Sequence, residues 1–291
     1  MNDYTSTSTA HRTPVPLVNL ERKFILFTNA KCGGTGLKAW FLSSLDLESS
    51  FCSFSRAASH YGLRHALSWF LRYRGFPGAH LPRHDDDSIR IFTNIYRRST
   101  SQAVEESIRS DQFFKVIVVR DPYDRLVSAF VDKFCTTEAG KPWVQQVIRQ
   151  VNAGVSNGGA SAATITFSQF VDYLSKQNLS KVDEHWRPQS CVLQDVSPDQ
   201  IVSLDSLAAG LRSLEDRFNF TTPLVVSKRR QSNEYDGMSE AGLGDVDNVA
   251  LMQLKANSGA FPSKNSFYDD SIRDKVLRLY ADDFFLYRQV Q

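Results

Sequence analysis

Two short segments of this chain combine cations, glycines and hydroxyls at spacings that suit anions. The first is Lys23-FILFTNAKCGGTGLKA-Trp40, in which an apolar run feeds a glycine-rich turn holding one lysine and a helix-forming stretch follows. A turn of that kind aims backbone N–H groups and a cation at a phosphate. Lys31 would neutralise charge. Cys32, Gly33, Gly34, Thr35, Gly36 and Leu37 would surround the anion with backbone, and Thr35 adds a hydroxyl. The second is Phe113-FKVIVVRDPYDRLVSA-Phe130, where a buried-strand pattern delivers Arg120 and a helix carries Ser128 eight residues later. Two anion grips on neighbouring strands suit a nucleotide with phosphates at two separate places.

The first grip departs from an ordinary P-loop. A Walker A sequence ends GK[ST], with its lysine after the last glycine. Here Lys31 precedes Gly33, Gly34 and Gly36, and Leu37 follows. That order disfavours a kinase or NTPase. It resembles instead the sulfotransferases that use 3'-phosphoadenosine-5'-phosphosulfate (PAPS), whose two phosphate segments read roughly P-K-x-G-x-T and R-[DE]-P-[FY]-x-R-L-x-S-[AS]-[FY]. The stretch from Arg120 to Phe130 fills the second pattern, whereas Ala30 stands where the first often has proline. Further along, Phe167-SQFVDY-Leu174, Asp183-EHWRPQS-Cys191 and Asn265-SFYDDSIRDKVLRLYADDFFL-Tyr287 are similar to segments of the carbohydrate sulfotransferases, the chondroitin and dermatan branch of Golgi enzymes. The likeness runs from about residue 23 to 287, with no firm correspondence across roughly 46–110.

The resemblance implies an α/β fold with a P-loop-like parallel sheet flanked by helices. It implies a sulfuryl group moved from PAPS to a hydroxyl, less readily an amine, of a small molecule or carbohydrate, leaving adenosine 3',5'-bisphosphate. Lys31 would stabilise the leaving oxygen, and Arg120 with Ser128 would bind the 3'-phosphate. Relatives place a histidine or glutamate base between the two phosphate segments. His84 is favoured here and His80 second, ahead of His60 and His65; His185, in the HWRPQ stretch, packs or touches the acceptor. Arg230 and Ser232, in the basic stretch beginning at Lys228, are candidates to close over the 3'-phosphate, although such charge runs are usually solvated. Arg125 reads as a structural partner of Asp121, four residues earlier. Two other readings stand beside this one: a P-loop-like nucleotide kinase, and a non-catalytic nucleotide-binding module of the same fold.

Metal ligands show no recognisable spacing. His80, His84 and Asp85-Asp86-Asp87 form the one suspicious patch, and three adjacent carboxylates read as a solvated loop, so a metal-free reaction is expected.

The elements that must position these groups follow from periodicity. Strands are expected at Phe24 to Thr28, Phe113 to Val119 and Ile201 to Leu204. Helices are expected at Thr35 to Leu45, Gly62 to Arg74, Ser101 to Arg109, Leu207 to Phe218 and about 269–286. Strands alternating with helices imply a parallel sheet, with ligands outside the strands' C-terminal ends. At 291 residues and 42% hydrophobic, the chain can bury a full core. Residues 1–21 read as a flexible tail and 22–291 as a single domain. A formal charge of only +2 gives no reason to expect nucleic acid. No apolar run reaches the roughly 18 residues of a membrane helix, and the polar start lacks a signal-peptide core. A cytoplasmic enzyme with no membrane partner and four free thiols (Cys32, Cys52, Cys135, Cys191) is therefore expected.

Overall fold

The structure is a computed structural model. It describes residues 15–45, 93–94, 96–97, 100–153, 164–193, 195–220 and 242–291. Along the chain the principal elements are β1 (Leu17–Asn19), β2 (Phe24–Phe27), α1 (Gly34–Ser43), α2 (Ser101–Arg109), β3 (Phe114–Val119), α3 (Pro122–Phe134), α4 (Pro142–Ala153), α5 (Phe167–Leu174), β4 (Gln200–Ser203), α6 (Leu207–Phe218), α7 (Asn248–Ser258), α8 (Asp270–Leu279) and α9 (Ala281–Arg288). They divide into two compact units. Among the described residues, one holds those within 15–120, 192–220 and 286–291, and the other holds those within 121–191 and 242–285.

The first unit contains the sheet, in order β1-β2-β3-β4. β2, β3 and β4 are parallel, with Phe27 opposite Ile117 and Ile117 opposite Ile201. β2 is wholly apolar, and β3 is apolar but for Lys115, because both faces are covered, as the interior strands of a parallel sheet require. Alternation sends Phe24, Leu26, Val116, Val118 and Val202 to one face, against Leu37, Trp40 and Phe41 of α1 and Leu211 and Leu214 of α6. Ile25, Phe27, Ile117 and Val119 face the other way, against Val104 and Ile108 of α2 and Leu286 and Tyr287. Lys115 is the one charged residue within β3. It stays in the strand because its Nζ donates to the carbonyls of Ser110 (2.9 Å) and Phe113 (3.4 Å).

The expected α/β architecture with helices flanking a mainly parallel sheet is what the structure has. One part of the sequence reading is corrected. Leu17–Asn19, within the stretch expected to be a tail, is an antiparallel edge strand on β2, and its side chains are buried. Pro14 and Pro16, and the polar residues before them, hid a strand this short.

The second unit packs helices around α3. Pro122 occupies the first turn, and Asp121 caps it by accepting from the Asp124 N–H at 2.9 Å. Phe130 and Phe134 meet Phe167 and Phe170 of α5, with Trp186 beside Phe134. A capping box, Thr166 with Gln169, starts α5. The expected helix at about 269–286 is two helices, α8 and α9, because Tyr280 leaves helical geometry (φ −119°, ψ 32°). Its hydroxyl donates to the Trp186 carbonyl at 2.6 Å, a tertiary bond that periodicity does not register.

Candidate functional site

β2 and β3 run parallel and in register, so the turn after Phe27 and the residue after Val119 emerge at the same edge of the sheet. Arg120 is that residue. Its Nη1 donates to the Lys31 carbonyl at 3.2 Å, so the two anion grips of the first unit are hydrogen-bonded to each other.

The turn itself is tightly specified. Lys31 holds φ +66° and Gly33 φ +72°. A side chain at Gly33 would be strained by that φ, and its Cβ would sit 2.9 Å from Leu204 Cδ1. At Gly34 the nearest atom to a Cβ is 3.7 Å away, and at Gly36 nothing lies within 4 Å. Within the protein's own packing, Gly33 is therefore the one glycine of this turn that a side chain could not replace without strain. Cys32 is buried, and its N–H donates to the Asn29 carbonyl at 3.4 Å. Leu37 is buried as well, with its N–H on the Gly33 carbonyl at 3.0 Å. Those two residues pin the loop to the core while Gly33, Thr35 and Gly36 stay exposed.

α1 starts with Gly33 as its N-cap, and no side chain caps it. The amides of Gly34, Thr35 and Gly36 have no carbonyl one turn back within the helix, and the first turn contains no acidic residue. The positive end of the helix dipole is thus presented beside Lys31. α1 is held by Trp40, whose Nε1 donates to Glu215 Oε1 at 2.8 Å within the core. This is what an anion site needs: a rigid helix, unsatisfied donors at its start and a cation on the same turn.

In the second unit, Ser128 lies on α3, 9% exposed. Arg125, on the same helix, is buried. It is 2% exposed, and its Nη2 donates to the Glu184 carbonyl at 3.1 Å. His185 Nδ1 lies 2.5 Å from Asp183 Oδ1, which also accepts the His185 N–H at 3.0 Å, and Trp143 stacks on the imidazole. The neighbouring residues of the HWRPQ stretch form a clamp. Asp283 accepts the backbone N–H groups of Gln189 (2.8 Å) and Ser190 (2.9 Å), and Arg187 donates twice to the Val182 carbonyl. Burial pushes the Asp283 carboxyl above the ordinary aspartate range, against the opposing pull of Arg125 and the two amides. Sequence reasoning did not find Asp283 or Tyr280 as the partners of this stretch; its one usable signal was that both fall in segments sharing the same resemblance.

His84, His80, His60, His65, Arg230, Ser232 and Cys52 lie outside the described residues. Cys32, Cys135 and Cys191 are free thiols. Among the described residues no group of three or more His, Cys, Asp or Glu is placed to hold a metal, and the patch from His80 to Asp87 is outside them. No described helix is long and apolar enough to cross a membrane.

Comparison with known proteins agrees with this geometry. Carbohydrate sulfotransferase 14 of Mus musculus is 33% identical over 81 residues, covering 28% of this chain and 21% of that protein. Carbohydrate sulfotransferase 10 of Xenopus laevis is 35% identical over 89 residues, covering 28% and 24%. The chain thus aligns with about a fifth to a quarter of the length of these relatives. No solved structure matches it. The model of the Sulfotransferase family matches residues 18–288, nearly the whole sequence from the edge strand β1 to the end of α9, and the chain belongs to that family.

Proposed function

We propose that this enzyme transfers a sulfuryl group from PAPS to a hydroxyl of a carbohydrate or carbohydrate-like small molecule. The observation that carries the reading is the uncapped start of α1, with Lys31 on its turn and Arg120 bonded to that turn. The residues of the first unit fit the 5' end of the donor, a backbone cradle and a lysine for the 5'-phosphosulfate, and the sequence resemblance assigns Arg120 and Ser128 to the 3'-phosphate. The names of the carbohydrate sulfotransferases matched above, and the resemblance to the chondroitin and dermatan branch, support a sugar hydroxyl as acceptor.

In the reaction the acceptor oxygen forms a bond to sulfur as the bond from sulfur to the 5'-phosphate oxygen breaks. The acceptor proton passes to a base, and adenosine 3',5'-bisphosphate departs. Lys31 meets the charge growing on the leaving oxygen. We assign the base to His84, with His80 second, because both fall in sequence between the two phosphate segments. His84→Ala should lower turnover by about a hundredfold with donor binding unchanged. If that variant is fully active, the base is elsewhere, and His80 is the next to replace, followed by His60 and His185.

Thermal shift separates this function from a kinase. Adenosine 3',5'-bisphosphate should raise Tm where ATP with magnesium does not; the reverse result would reject the reading. Arg120→Ala should weaken adenosine 3',5'-bisphosphate by about tenfold to a hundredfold, the scale of charge-assisted hydrogen bonds. It should leave adenosine 5'-monophosphate nearly unaffected. Equal losses for the two ligands would mean that Arg120 serves only to brace the Lys31 carbonyl.

A further inference from the structure

The floor of the lysine turn contains a polar group that the fold does not use. Asn29 is the second residue after β2 and is 5% exposed. Its backbone carbonyl accepts from Cys32 and lies 3.7 Å from where a Cβ on Gly34 would stand, so the residue sits under the turn. Its side-chain Nδ2 is closed off from solvent and has no hydrogen-bond partner. Proteins seldom keep a buried donor unpaired, because the desolvation cost is not recovered. An apolar residue of the same volume would serve packing better, and the runs on either side of the turn show that the sequence supplies such residues freely. The orphan also does not stand alone. Within the same eight residues, Lys31 holds a left-handed φ and the first amides of α1 are uncapped. The turn therefore stores several unmet donors and one strained residue, the arrangement expected where a ligand completes what the fold leaves open.

We infer that Asn29 is a positioning residue for the 5'-phosphate end of the donor. When the anion enters the turn, the loop shifts over it and Nδ2 gains its acceptor, either a 5'-phosphate oxygen or a backbone carbonyl turned toward it by the bound anion. In both cases the bond exists only in the liganded state, so Asn29 lowers the stability of the free protein and raises its affinity for the nucleotide. The inference rests on the function proposed above.

Titration calorimetry and thermal unfolding of the full chain test it, with adenosine 3',5'-bisphosphate and adenosine 3'-monophosphate as probes. Asn29→Leu removes the donor and keeps the bulk. The free variant should melt at or above the wild-type temperature, by up to about 2–4 °C. Its Kd for the bisphosphate should rise about tenfold, while its Kd for the 3'-monophosphate, which lacks the 5'-phosphate, should not move. Asn29→Asp, with the same shape but no donor, is the second variant if leucine does not fold, and it should lose the bisphosphate at least as strongly. Equal effects on both nucleotides, or no effect on either, would overturn the role of Asn29 while leaving the proposed function in place. Failure of the wild-type protein to bind the bisphosphate at all would overturn both.

Discussion

Lys31→Ala should lower turnover by about a hundredfold to a thousandfold while weakening donor binding far less. The charge on the leaving 5'-phosphate oxygen develops as the S–O bond breaks, so a cation aimed there contributes more in the transition state than in the ground state. Removing one preorganised donor of this kind typically costs about 2–4 kcal/mol of barrier. The backbone supplies a control that separates chemistry from folding. Lys31 occupies a left-handed conformation, φ +66°, which costs a non-glycine residue stability. Alanine retains that cost and glycine removes it. Lys31→Gly should therefore match Lys31→Ala in lost turnover yet unfold at a higher temperature. Single-turnover rates with PAPS, paired with melting curves, read both quantities. Near-normal turnover in the alanine variant would mean that the turn does not hold the reacting group.

The positions of Lys31 and Arg120 were legible because strand ends are legible. Phe24–Phe27 is apolar throughout and Phe114–Val119 is apolar except for Lys115, the pattern of interior strands, so the polar residues just beyond them had to lie at the sheet's edge. The hydrogen bond between the two grips was not legible, since it depends on the register of β2 against β3. Asn29 illustrates a different limit. An asparagine in a turn is ordinary in sequence, and only its burial without a partner marks it. Leu17–Asn19 was missed because three residues are too few for a period of two to show. The break at Tyr280 was missed because neither glycine nor proline occurs there and the helical pattern continues through it. What decides it is a hydroxyl reaching a carbonyl far away in sequence. The bond between the grips and the break at Tyr280 both rest on tertiary contacts whose partners are remote in the chain.

The same reasoning makes Asp283 the residue whose loss should most damage the second unit. In sequence it is one of two adjacent aspartates near the C-terminus, within a segment similar to the carbohydrate sulfotransferases. In the structure it is fully buried and accepts from the amides of Gln189 and Ser190, with Gln189 Nε2 a longer third donor at 3.4 Å. Its charge also acts on Arg125, itself 2% exposed. Asp283→Ala would strand two backbone donors and leave a guanidinium in the core with less compensation, so a loss of about 3–5 kcal/mol is expected. Urea unfolding measures it, and a loss below about 1 kcal/mol would show that the clamp on the HWRPQ stretch is dispensable. The pH dependence has a definite sign. Burial raises the Asp283 pKa above its unfolded value, so the folded state binds the proton more tightly. The residue's contribution is then greatest below the unfolded pKa and declines as pH rises toward the folded one. The gap between wild type and Asp283→Ala should narrow across that interval and level off above it. A gap that widens instead would mean that Arg125 and the two amides outweigh burial, and that the aspartate is held as an anion throughout.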